Sequence, residues 1–276
     1  MPRSSQVSMS ITRKAVLVLM LQLTMLWSPL TRAETLPQAE YMTLITQYVN
    51  RLSNIYDGTW AFTYSVNDRR RGEVRVRRVD PSQPDHRLRD QLLSVNGEPP
   101  TEKRLQQHNR QLDRRERRRQ RTGARLHEDP ERPNERPGRE RERFLDALIP
   151  ESIEVVKQDG DLLHLSFRAM EEGRENVFDH VQGLLVLDTA REYIAEMQLT
   201  PDGPFYPFFL TKVEEAFLSV RFDLVDGAPI QTAATWQLLG QALIVKNLDA
   251  DMEVEWMDFE KVTPAAPDAP KLATLR

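Results

Sequence analysis

The densest chemical character in this chain is one arginine run, Arg114-Arg115-Glu116-Arg117-Arg118-Arg119-Gln120-Arg121. Guanidinium groups at this spacing neutralise phosphates, which leaves three readings: nucleic acid, an anionic membrane surface or acidic partner, and a solvated helix of mixed charge. The interleaved acids and the lack of aromatic residues on which bases could stack argue against nucleic acid. Arg114, Arg115, Arg117, Arg118 and Arg119 are therefore the candidate contacts to lipid headgroups or an acidic envelope protein, with the solvated helix as the alternative. The run lies in a stretch, residues 102–143, with 15 basic and 9 acidic residues (net +6), whereas residues 144–276 hold 10 basic and 24 acidic ones (net −14). A basic segment attached to an acidic body would orient the molecule toward a negative surface.

Other chemistries find no support. The five histidines, His86, His108, His127, His164 and His180, show no metal-ligand spacing and read as structural. No cysteine is present, which excludes disulfides, thiol nucleophiles, thiolate metal sites and an acylated cysteine tether. There is no Gly-x-Ser-x-Gly, Gly-rich phosphate loop or His-Glu-x-x-His. The expectation is a protein without catalytic residues, metal or cofactor, with hydrolysis of envelope lipids as a remote alternative.

The elements that would position a site are mostly strands. From Val213 to Leu224, Ala216, Leu218, Val220, Phe222 and Leu224 alternate with Glu215, Ser219, Arg221 and Asp223, giving one apolar and one charged face. Such strands belong to an antiparallel sheet wetted on one side. Further strands are expected at Ser152 to Lys157, Leu162 to Ala169, Gly183 to Leu187, Tyr193 to Thr200, Pro229 to Leu239, Ala242 to Asn247 and Met252 to Phe259. Asp159-Gly160, Asp202-Gly203 and Asp226-Gly227 supply turns. Upstream, Leu36 to Tyr56 has the three- and four-residue apolar spacing of an amphipathic helix. Thr59 to Val66 and Gly72 to Val79, the latter with Val74 and Val76 between arginines, form a hairpin, and Gln91 to Val95 a third short strand. Thr101 to Gln120 reads as an exposed helix with a thin seam of Leu105 and Leu112, Gly123 to Gly138 as a loop, and Phe144 to Ile149 as a short helical patch.

At the chain start, Arg3, Arg13 and Lys14 precede an apolar stretch from Ala15 to Leu26 and the small-residue site Thr31-Arg32-Ala33. Residues 1–33 thus read as a secretory signal peptide, with an uncleaved anchor as the alternative. A free periplasmic protein follows, with residues 34–262 as one domain interrupted by the charged segment 99–143, and a proline-rich tail, 263–276, without order.

The order of these features resembles the LolA/RseB-like group. A helix leads through Asp57-Gly58 into Trp60-Ala-Phe-Thr-Tyr, an arginine-flanked strand closes on Pro81, and a long meander ends in Trp256-Met-Asp-Phe259. The resemblance implies a mainly β (α+β) fold, a curved antiparallel meander forming an unclosed β-barrel with helices in the concavity. It implies a non-enzymatic, monomeric periplasmic protein that holds acyl chains of a lipid or lipoprotein, or an envelope sensor acting through the basic segment or an open sheet edge. In such carriers an early-strand arginine ties lid to barrel, and Arg75, Arg77 and Arg78 are its candidate counterparts. The expected cavity lining is Trp60, Phe62, Tyr64, Leu218, Val220, Phe222 and the apolar loop around Phe208 and Phe209. The stretch 99–143 departs from a minimal carrier as an insertion or enlarged lid.

Overall fold

The computed structural model of the protein describes residues 37–128, 139–170, 181–208, 211–242 and 246–265. The expected signal peptide, most of the tail, the segment 129–138 and Phe209 lie outside them. Helix α1 (Gln38–Arg51) leads into a hairpin of β1 (Trp60–Asp68) and β2 (Glu73–Val79), then β3 (Asp90–Val95). Two helices follow, α2 (Glu102–Glu128) and α3 (Arg139–Ala147). A meander then runs through β4 (Glu154–Asp159), β5 (Leu162–Arg168), β6 (Val181–Asp188), β7 (Tyr193–Pro201), β8 (Phe205–Phe208), β9 (Thr211–Val225), β10 (Ala228–Ala242) and β11 (Lys246–Lys261). Among the described residues these strands make one antiparallel sheet in the order β3-β2-β1-β11-β10-β9-β7-β6-β5-β4, with β8 paired to β9 alone. Its ends, β3 and β4, do not meet, so the sheet is a curved, unclosed barrel-like meander. No helix of the described residues is long and apolar enough to cross a membrane.

Residues directly opposed in an antiparallel ladder share a face. One such row crosses the sheet as Leu165, Leu185, Met197, Val220, Ala234, Val254, Val66 and then Arg75. The face is apolar for seven strands and turns basic at β2. Over the β5–β7 end lies α1, whose Tyr41, Ile45, Tyr48 and Val49 join Leu165, Phe167, Leu187 and Ile194 in one core, with Phe144 of α3 edge-on to Phe167 at 6.0 Å. A second core gathers Ile55, Trp60, Phe62, Ile230, Val254 and Trp256, and Met197 and Phe222 pack against both. Bulges at Ala61/Thr63, Val186/Leu187 and Gln231/Ala233 bend the strands around these helices.

Four expectations need correction. The first helix ends at Arg51 instead of Tyr56, because Ser53 leaves it to donate its N–H to Pro229 O (2.8 Å), and the Asn54 side chain then accepts from the Tyr56 N–H in a tight turn. That detour drops Ile55 into the second core. Helix α2 runs through Gly123 to Glu128, where a loop was expected; Ala124, Arg125 and Leu126 continue it, and Pro130 sits two residues beyond its end. Where an apolar loop was expected around Phe208 and Phe209, Phe205–Phe208 form strand β8, paired to β9 with Phe205 buried. Finally, Ala242 ends β10 and Lys246 and Asn247 begin β11, with Ala242 opposite Lys246, so the described residues of the expected strand Ala242 to Asn247 belong to two strands.

Candidate functional site

Helix α2 crosses the basic end of the sheet face. A stripe of Arg104, His108, Leu112 and Arg115, spaced by three and four residues, points one way from the helix. Leu112 is 6 % exposed, so this stripe is seated. Polar ties fix both sides of it. Arg104 pairs with Glu73 of β2 at 2.8 Å, and His108 Nε2 donates to Asp90 O of β3 at 2.7 Å. Asp113 receives a bidentate Arg87 (3.0 and 2.9 Å) and His86 Nε2 (2.8 Å) from the loop between β2 and β3.

The hydrogen bonds from Arg87 and His86, together with their charge, hold the Asp113 carboxyl well below the usual carboxylate range. A depressed folded-state pKa stabilises above the unfolded value and is lost as pH falls, so this tie weakens below about pH 4. The protection factors of amides 104–112, the intrinsic exchange rate over the observed rate at each pH, are expected to fall in that window in the native chain. In Asp113→Asn they start lower at neutral pH and fall less on acidification; an identical profile in both proteins would show that Asp113 does not hold the helix.

Beneath the helix lies a cleft of about 950 Å³. Tyr64 and Val79 of the sheet, Ile55 and Tyr56 of the segment after α1, and Leu112 of α2 give it an apolar floor. Pro81, Pro264 and Ala265 close one end, where the Ala265 N–H donates to Pro81 O at 3.0 Å. Burial pushes the Tyr64 phenol up to about 12, against the charges of Arg77 and Arg115, so it stays neutral. Tyr56, though 64 % exposed, is tied to the sheet through its hydroxyl, which accepts from Trp256 Nε1 at 3.1 Å.

The charges around the cleft are unequally satisfied. Asp90 is paired with Arg77 through both carboxylate oxygens, and Arg77 stacks over the Tyr64 ring at 5.2 Å. Asp57 accepts from the N–H and hydroxyl of Thr59, and Glu116 is also engaged. Arg115 and Arg118 reach the cleft without a hydrogen bond or ion pair to any described residue.

Of the expected lining residues whose side chains are described, Tyr64 alone borders this cleft. Trp60, Phe62 and Val220 are buried in the second core, while Leu218 and Phe222 are half-buried against it. Phe208 belongs to β8, but its side chain lies outside the described residues, as does Phe209. The arginine run is divided by the helix. All four described arginines, Arg114, Arg115, Arg117 and Arg118, are exposed; Arg115 and Arg118 border the cleft, Arg114 and Arg117 do not, and the Arg119 side chain is outside the described residues. Among the tie candidates, Arg75 and Arg77 are on the helix-bearing face, and Arg78 lies on the opposite face, donating to Asp258 O. Sequence reading passed over Ile55, Tyr56, Val79 and His86 as lining residues; the buried seam residue Leu112 was the signal that pointed to them.

A second depression, about 620 Å³, lies near Arg70, Glu215, Asp249 and Asp251, where Arg70 and Asp249 are paired. Among the described residues no cluster of side chains could hold a metal ion. No protein family, curated protein or solved structure matches this chain.

Proposed function

We propose that the protein is a non-enzymatic carrier of the cell envelope that holds an acyl chain of a lipid or lipoprotein in the cleft beneath α2. The observation that supports this is an apolar floor of Ile55, Tyr64, Val79 and Leu112 under a helix seated mainly by polar ties at its margins. Its volume of about 950 Å³ is at the upper end of what small-molecule sites enclose, ~300–1,000 Å³. Acyl binding needs no polar motif. At about 0.8 kcal/mol per buried methylene, a sixteen-carbon chain gains roughly 12 kcal/mol before the cost of ordering it. That is consistent with a site invisible to motif reading. The basic segment and the signal-peptide layout of residues 1–33 fit work at the periplasmic membrane surface.

The test is displacement of the neutral fluorescent probe N-phenyl-1-naphthylamine by palmitate, with native mass spectrometry of the gently purified protein. Uptake by the native chain is expected, and Leu112→Glu, which puts a charge in the floor, is expected to weaken it at least about tenfold. A native protein that takes up neither probe nor fatty acid would refute the reading.

A further inference from the structure

We propose that Arg115 and Arg118 form an anion-recognition pair that selects, among acyl ligands, those with a carboxylate or phosphate head. This rests on the reading of the cleft as an acyl site and adds the class of its ligand. Three features of the molecule converge on it.

The first is position. Arg115 follows the buried Leu112 by one helical turn and Arg118 follows by one more, so both guanidiniums stand at the cleft beside the apolar floor. A chain lying over Tyr64 and Val79 would bring its head to them. The second is charge accounting. Among the cleft's acids Asp90 is paired with Arg77, Asp57 is hydrogen-bonded to uncharged Thr59 and keeps its charge, and Glu116 has a partner of its own. Arg89 spends its donors on Gln83 O and Pro84 O, which are uncharged. With Asp90 taken by Arg77, the lining sets Arg89, Arg115 and Arg118 against Asp57 and Glu116, a surplus of one positive charge. The third is contrast within one helix. Arg114 and Arg117 have the same side chain in the same sequence environment but do not border the cleft. The run is thus two sets with separate surroundings. Guanidinium forks match carboxylate and phosphate geometry bidentately, and the apolar surface beside these two holds the rest of an amphiphile.

The experiment competes hexadecyl phosphate, palmitate and hexadecanol against N-phenyl-1-naphthylamine on the full chain at low salt. Inorganic phosphate binding is measured separately by calorimetry. The native protein is expected to prefer the two anionic amphiphiles over hexadecanol by roughly 10- to 100-fold, the worth of one or two charge-assisted hydrogen bonds. In R115Q/R118Q that preference is lost while hexadecanol affinity stays within about twofold, and in R114Q/R117Q the preference persists. Persistence of the preference in R115Q/R118Q overturns the pair, as does an equal loss for hexadecanol and the anions. If hexadecanol and the anions bind the native chain equally, the acyl reading stands and the pair falls. If no amphiphile competes, the acyl reading falls; inorganic phosphate bound by the native chain but not by R115Q/R118Q would then keep the pair as a free-anion site, and no phosphate binding would remove it as well.

Discussion

Replacing Phe167 by alanine is expected to cost about 3–5 kcal/mol of unfolding free energy. Phe167 is 1 % exposed and is the joint of the first core. It stands directly across the β5–β6 ladder from Gly183, its ring lying where a side chain at 183 would be. The edge of its ring also meets Phe144, which holds α3 to the sheet. Truncation therefore leaves a cavity against α3 and exposes the backbone at Gly183. The complementary change makes the same point from the other side. A Cβ at Gly183 would meet the tip of the Phe167 ring far inside van der Waals contact, so Gly183→Ala forces ring and strand apart at a cost of about 1–3 kcal/mol. If this contact is the cause, Phe167→Leu in the Gly183→Ala background restores part of the loss, with a coupling of roughly 0.5–3 kcal/mol between the positions. Urea denaturation of the four proteins reads the cycle. Additive costs would show that glycine at 183 is required for a reason other than the ring above it.

The sheet was legible because its strands repeat one simple pattern. The alternation from Val213 to Leu224 reappears in β9, whose Val220 and Leu218 face the core while Arg221 and Asp223 are exposed. The Asp226-Gly227 turn adopts positive φ at both residues (50° and 76°), the conformation that a two-residue hairpin demands and that aspartate and glycine tolerate best. Asn96-Gly97 does the same after β3, with φ of 54° and 80°. These signals are local, so the sequence displays them.

The site is not local. In β2, Val74 and Val76 alternate with arginines, a pattern that taken by itself would turn the valines inward. The pairing of Val66 with Arg75 and Tyr64 with Arg77 reverses this, and the arginines face the helices. Which face a strand presents depends on its register with a partner, and a one-residue shift exchanges the two. Here the register is that of the β1–β2 hairpin, with Asp68 opposite Glu73, and β1 is itself held by β11, where Tyr64 pairs with Trp256 192 residues further on. The same holds for Trp60 and Phe62. Their aromatic character was visible, but only the fold shows that Ile55 covers them, leaving Tyr64 as the aromatic residue of the cleft. The arginine run likewise read as one uniform patch until helix α2 had something to face.

Arg77 is where the apolar sheet and the lid region meet, and its removal is expected to have the second large effect. Its side chain is 16 % exposed and that of its partner Asp90 19 %, so each charge is mostly withdrawn from water and depends on the other. Breaking a buried pair from one side leaves an uncompensated charge at a cost of about 3–5 kcal/mol; the residual exposure lowers the expectation for Arg77→Met to about 2–4 kcal/mol. Loss of the guanidinium over Tyr64 contributes within that figure, at about 0.5–2 kcal/mol. The damage should also spread, because Asp90 opens β3, and its backbone oxygen anchors His108 of α2. Amide exchange in residues 104–112 is therefore expected to rise along with the drop in global stability. Arg77→Met combined with Asp90→Leu discriminates the cause. It leaves no stranded charge, and replacement of both partners of a buried pair by apolar groups is near neutral or stabilising. Recovery of stability in the double variant, with α2 again protected through the His108 bond to the unchanged backbone of residue 90, identifies the pair as a matched cost on the sheet face. A double variant no more stable than Arg77→Met would mean instead that Arg77 holds this end of the sheet through its contact with Tyr64, and that Asp90 contributes nothing of its own.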